Sequence, residues 1–319
     1  MDHFIIYAEE FRDVIGSNPQ YGVIPNVSAH EGPVYVRDRN VVLFTSVPEN
    51  TNVPTFGGKR IFIGQLDVAR LDAGNEAVSV FRADTNAANG MTLDREGRLL
   101  ICEQGSKTTA AAISRLALSS DAPAEPVVTH WFGLPLNSPN DVVVKSDGTI
   151  WFTDPSYGSL QGFRPTPLSG DYVYRHDPAT GETSVVADSF NKPNGLAFSP
   201  DESILYINDS GAIQGPGTYF PALPHHIRAF DVVNGRQLVN DRLFAVITPG
   251  IPDGLKTDSQ GRVYSSSFSG VQVFDPHGRI LGEIAAPGVA NFCFGGEGNN
   301  TLFMMCDTNI TWATVQATG

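Results

Sequence analysis

One phrase recurs about six times along the chain and limits its fold more than any other feature. Asn194-Gly195-Leu196-Ala197-Phe198-Ser199-Pro200-Asp201 continues into Ile204-Leu205-Tyr206-Ile207-Asn208-Asp209. Asn140-Asp141-Val142-Val143-Val144-Lys145-Ser146-Asp147-Gly148 continues into Ile150-Trp151-Phe152-Thr153-Asp154. Asn89-Gly90-Met91 and Asp253-Gly254-Leu255 open two further copies, Glu31-Gly32-Pro33 and Asn291-Phe292-Cys293 two weaker ones. A repeat of roughly fifty residues built from short strands specifies a β-propeller. The expected fold is therefore all-β, with six blades of four strands around a central channel that holds a metal.

Within a copy, an apolar run such as Val142–Val144 reads as an inner strand. Ser146-Asp147-Gly148 is its turn, and Ile150-Trp151-Phe152 returns. Glu96-Gly97, Gln260-Gly261 and Pro200-Asp201-Glu202 fill the same slot elsewhere. Tyr174 and its neighbours with Gly181, then Ile227–Asp231 with Gly235, then Val271–Asp275 with Gly278, mark the outer pairs. The segment before residue 31, with Phe11-Arg12-Asp13-Val14-Ile15, is expected to complete the last blade, because an open edge invites aggregation. The repeat fills the chain, so residues 1–319 are expected to form one domain. Two stretches rich in Pro and Gly break the pattern, at 48–58 and 211–221; long loops on a rigid frame often carry specificity.

A net charge of −13 argues against a nucleic-acid partner and suits a protein that holds a cation. No run approaches the roughly 18 apolar residues of a membrane span. Cys102, Cys293 and Cys306 lie in apolar strands and are expected to be buried thiols. The first residues carry no basic segment before their short apolar stretch, so a cytoplasmic protein is expected. The residues leave the oligomeric state open.

In a propeller the first strand of each blade is innermost, so positions 31, 89, 140, 194, 253 and 291 converge at one mouth of the channel. They are Glu, Asn, Asn, Asn, Asp and Asn, all oxygen donors. Glu31 and Asp253 supply two negative charges, matched by a divalent cation, and calcium accepts such oxygens readily. Zinc prefers nitrogen and sulfur donors, although zinc or manganese as the working metal is left open. A plainer account treats Asn-Gly and Asp-Gly as turn residues. Hairpin geometry also returns the chain about fourteen residues later to the same end. That brings Glu103 near Asn89, Asp154 near Asn140, Asn208 and Asp209 near Asn194, and Ser267 near Asp253. Asn89, Glu103, Asp154, Tyr157 and His226 are candidate substrate contacts on this ground. His30 is a weaker candidate, since strand alternation would turn it away from the channel if it shared a strand with Glu31.

These motifs resemble the SMP-30/gluconolactonase/LRE-like family of calcium-dependent lactonases over nearly the whole chain. The specific matches are Glu31-Gly32-Pro33, Asn137-Ser138-Pro139-Asn140, Trp151–Gly158, Pro193-Asn194-Gly195 and Pro252-Asp253-Gly254. The resemblance implies metal ligands at Glu31, Asn140, Asn194 and Asp253, and a catalytic carboxylate at Asp253. It implies a calcium-dependent hydrolase of a small-molecule lactone or related ester, the cation polarising the carbonyl and Asp253 acting as general base or, alternatively, as nucleophile. Where many bacterial relatives carry Cys-Glu-His-Gly, this chain has Cys102-Glu103-Gln104-Gly105, which makes a lactone other than a sugar lactone plausible. A phosphotriesterase-like hydrolase, or a propeller whose calcium serves structure alone, is an alternative consistent with the same residues.

Overall fold

A computed structural model describes residues 3–50 and 59–319 of the protein. Among these, six four-stranded antiparallel blades surround a channel. Blade 1 comprises Glu31–Val36, Val41–Thr45, Ile63–Asp67 and Val78–Arg82. Blade 2 comprises Ala88–Leu93, Leu99–Glu103, Ala112–Leu116 and Glu125–Val128. Blade 3 is Val142–Val144, Ile150–Asp154, Tyr172–Asp177 and Glu182–Ala187. Blade 4 is Pro193–Phe198, Ile204–Asp209, His226–Val233 and Gln237–Val246. Blade 5 has Leu255–Thr257, Val263–Ser266, Gly270–Phe274 and Ile280–Ala285, with Phe4–Ile6 added at its edge. Blade 6 combines Asn291–Gly295, Thr301–Met305 and Asp307–Thr314 with Gln20–Ala29 from the start of the chain.

That last pairing closes the ring as expected, with Gln20 opposite Thr314 and Ile24 opposite Ile310. Phe11–Ile15 itself takes a different role. It is a short helix whose Phe11 and Val14 are fully buried in the apolar layer between blades 5 and 6. Gly282 makes room for it, since a Cβ there would meet the Phe11 ring.

The core is divided into six apolar clusters, one between each pair of neighbouring blades. Leu43, Ile63, Met91 and Leu99 join blades 1 and 2. Cys102, Ile113, Phe152 and Tyr174 join blades 2 and 3. Trp151, Val173, Leu205 and Phe230 join blades 3 and 4. The strands supply both faces of each sheet to such clusters, which is why apolar residues outnumber a simple alternation. The three cysteines are free and buried within these layers. No helix among the described residues is long and apolar enough to cross a membrane.

The turn slots behave as their residues dictate. Gly97, Gly148 and Gly261 take positive φ. Blade 4 lacks a glycine there and puts Glu202 at φ 56°. Its carboxylate accepts hydrogen bonds from Lys145 and from the backbone N–H of Ser146, which tie the tip of blade 4 to that of blade 3. The excursion at 211–221 leaves blade 4 between its second and third strands. Of the other long loop, residues 51–58 lie outside the described residues; Glu49–Asn50 and Lys59–Arg60 flank them as a short ladder.

Candidate functional site

The recurring polar-glycine pair is a device for packing inner strands. Gly90 N–H donates to the Asn140 carbonyl at 2.8 Å, Gly195 N–H to that of Asp253 at 3.0 Å, and Gly254 N–H to that of Ala290 at 2.8 Å. A Cβ on Gly90, Gly195 or Gly254 would collide with the neighbouring inner strand. These three glycines do not have positive φ, so the turn explanation fails for them. The close approach they permit sets the preceding Asn, Asn and Asp side chains around one axis.

Glu31, Asn140 and Asn194 are buried there, and Asp253 keeps part of its surface open to a cavity of about 230 Å³. Asn89 and Tyr157 line the same cavity. Glu31 Oε2 accepts from Asn291 Nδ2 at 2.8 Å and from Gly32 N–H at 3.1 Å. Glu31 and Asp253 lie close enough to share a hydrogen bond, and Asn194 also bonds to Asp253. Burial is the main force that pushes Asp253 up to about 7, with the nearby Asp141 charge adding to it. Burial and the Asp253 charge together push Glu31 well above the ordinary carboxylate value.

Two carboxylates held this closely demand either a proton or a cation between them. The amide oxygens of Asn89 and Asn140 are buried without a hydrogen-bond partner, and unpaired buried acceptors are costly. A hard divalent cation satisfies both demands, since calcium takes carboxylate and amide oxygens together. Among the described residues no three His, Cys, Asp or Glu side chains form a metal-binding group. The donor set here is instead two carboxylates with Asn oxygens, unlike a zinc site. Glu31, Asn140, Asn194 and Asp253 thus fit the cation.

Other expected contacts go elsewhere. Glu103 faces a separate cavity beside Arg82 and Asn86, where Ser114 Oγ donates to it at 2.7 Å. Its strand pairs Glu103 with Ala88, and the next side chain, Gln104, is the one that lines the Asn89 cavity. Asp154 is fully buried and accepts from the N–H groups of Asn137 and Ser138, both at 2.8 Å. It braces the loop that delivers Asn140, and burial raises its pKa to about 7. Asp209 does the same in blade 4, accepting from Asn191 and Lys192 N–H at 2.9 Å. A carboxylate at the end of a second strand thus orders the chain entering the first. His226 pairs in register with Asp209, half-buried and outside the cavity; burial depresses its pKa. Ser267 bonds within its own turn, and Ser266 Oγ accepts from Asp253 N–H at 3.0 Å.

His30 does line the cavity. It lies between strands, joining Ala29 to Glu31, so alternation does not apply to it. Its Nδ1 is 2.7 Å from Asp307 Oδ1, a contact between distant parts of the sequence that no local pattern announces. Lys256 was equally hidden: its ammonium lies within reach of Asn291 Oδ1, at 3.4 Å, and its charge partly opposes the burial that raises the pKa of Asp141.

A family model described as the SMP-30/gluconolactonase/LRE-like region matches residues 29–307. The chain belongs to this family. A gluconolactonase of Zymomonas mobilis is 29% identical over 304 residues, covering 92% of this chain and 80% of the relative. The lactonohydrolase oryL of Aspergillus oryzae is also 29% identical, covering 92% and 69%. The solved structure of a Xanthomonas campestris gluconolactonase superposes with a TM-score of 0.79 at 30% identity, covering 99% of this chain and 95% of that one.

Proposed function

We propose that the protein is a calcium-dependent lactonase. The observation that carries this reading is the pairing of Glu31 and Asp253 beside unsatisfied Asn89 and Asn140 oxygens, at the floor of an open cavity. Relatives described as gluconolactonase and lactonohydrolase support the reaction class. Glu31, Asn140, Asn194 and Asp253 would hold the cation. When bound, it supplies Lewis-acid polarisation of the lactone carbonyl.

Asp253 takes a proton from water as the water oxygen bonds to the carbonyl carbon. The ring C–O bond then breaks, and the proton passes to the departing alkoxide, leaving a hydroxy acid. Burial raises the proton affinity of Asp253 towards that of a useful base at neutral pH, whereas a cation beside it acts in the opposite sense. Positioning therefore contributes much of the effect. The His30–Asp307 pair gives a second reading of the base, because a carboxylate on Nδ1 orients an imidazole for proton transfer through Nε2.

The test is hydrolysis of a panel of sugar, aliphatic and aromatic lactones by metal-stripped protein, with and without added calcium. Calcium-restored opening of at least one lactone is expected. Turnover indifferent to calcium would remove the metal from the proposal, and absence of lactone opening despite measured calcium binding would remove the lactonase.

A further inference from the structure

We infer that the preferred substrate is a lactone bearing an apolar alkyl or aryl tail, and not a polyhydroxylated sugar lactone. This rests on the lactonase reading above and concerns the same cavity. Among the described residues that line the cavity together with the carboxylates and amides, five bear hydrocarbon side chains: Pro48, Ile61, Ala88, Ile213 and Ile251. They arrive from separate places, the edge of blade 1, the first strand of blade 2, the 211–221 excursion and the approach to blade 5. Each is a side chain without hydrogen-bonding capacity facing the space a substrate must fill.

The hydroxyls that also line the cavity each have one protein partner. Thr45 donates its hydroxyl proton to the Asn89 carbonyl at 3.3 Å, and Tyr157 donates to that of Ser210 at 3.3 Å. Ser46 Oγ already accepts from Phe62 N–H at 3.1 Å. A sugar lactone brings several hydroxyls, each costly to bury without a partner. Gln104 and Gln161 also line the cavity, and the other polar side chains there are His30 and the carboxylate and amide cluster assigned to the cation.

The rim continues the apolar surface outward. Leu160, Tyr219, Phe220 and Phe268 are each between 44% and 49% exposed. Tyr219 and Phe268 are 6.0 Å apart by ring centroid, joining the 211–221 excursion to the loop beside Ile251. Gly250, next to Ile251, is pressed against the Phe268 ring, and Gly215 lies against Leu160. Adjacent exposed apolar side chains at the mouth of a cavity mark a surface that a ligand covers. A lactone ring seated over Asp253 would direct its tail along Ile213 and Ile251 towards these side chains.

The experiment measures kcat/KM of the full-length protein with calcium. Substrates are γ-butyrolactones carrying methyl, butyl, hexyl and octyl tails, compared with glucono-δ-lactone. The expected result is a rise of about three- to fourfold per methylene over the buried part of the tail. Glucono-δ-lactone is expected at least about tenfold below the hexyl compound. Ile213→Ser and the rim variant Phe220→Ser should each flatten the rise, lowering kcat/KM of the octyl compound more than that of the methyl compound. A flat series, or a preference for glucono-δ-lactone, overturns the substrate class and leaves the lactonase standing. A rise unchanged in both variants overturns the path assigned to the tail. Failure to open any of these lactones overturns both readings together.

Discussion

At the scale of single residues, the site sets like charges against one another, and the proposed cation would relieve them. Asp253 is the residue where both proposed roles meet. Asp253→Asn keeps the shape and removes the negative charge. We expect kcat to fall by at least about 100-fold, the usual size of a general-base effect, and calcium affinity to weaken. Titration calorimetry beside steady-state kinetics checks this. Full turnover with diminished calcium binding would contradict the base assignment, and would turn attention to His30 held by Asp307. Asn291, which donates to Glu31, acts as a brace by its bonding, although its place in the repeat matches those of the candidate ligands. Position in the repeat brings a side chain to the axis; its partners there decide what it does.

At the scale of elements, in four of the six copies the inner strand packs closely because glycine follows the polar residue. Gly195→Ala would push a methyl into the carbonyl of Asp253 and separate blades 4 and 5. A loss of about 1–3 kcal/mol in unfolding free energy is expected, as for other overpacked positions, together with weaker calcium binding. Urea denaturation and calorimetry read the two effects, and a variant as stable as wild type would refute the packing role. The outer strands offer a pH test. Burial, assisted by the Arg115 and Arg175 charges, holds His176 below 6.5. The unfolded chain therefore takes up a proton near 6.5 that the folded chain resists, so this contribution is present above that pH and is lost as pH falls. As pH falls from about 7.5 to about 5.5, His176→Gln should lose less stability than wild type. Equal losses would dismiss the effect.

The blades, their turns and the ligand candidates were legible in the sequence because each repeats, and repetition turns a weak local signal into a strong one. What repetition does not reach was not legible. Asp154 carries the same residue type and hairpin position as a site carboxylate, yet two backbone N–H groups from its own loop claim it. Glu103 faces another cavity because the strand turns Gln104, one residue later, to the channel side. His30 with Asp307, and Lys256 near Asn291, are meetings of residues far apart in the chain. The apolar residues of the cavity likewise come from four separate places in the chain, none of which looks unusual alone.

At the scale of the whole molecule, ring closure and the candidate metal site share one stretch of chain. The closing strand Gln20–Ala29 ends one residue before Glu31, and His30 between them is fixed by its N–H bond to the Thr45 carbonyl at 2.8 Å. Any displacement of that strand is therefore passed to Glu31, a candidate ligand. Gly22 lies within the closure, where a Cβ would stand 2.5 Å from the Trp312 ring. Gly22→Val should lift the strand from Asp307–Thr314, lower stability by about 1–3 kcal/mol and weaken calcium binding severalfold. On the proposed reading calcium would bind only the closed ring, so at about 100 times its dissociation constant it should restore about 2.7 kcal/mol to either protein. At equal calcium below saturation, the variant should recover less than wild type, because its affinity is lower. Thermal melts across a calcium titration distinguish the cases. A variant that melts early but binds calcium as tightly as wild type would show that closure and site are independent. Parallel losses would mean that the N-terminal strand positions Glu31 as well as sealing the sixth blade.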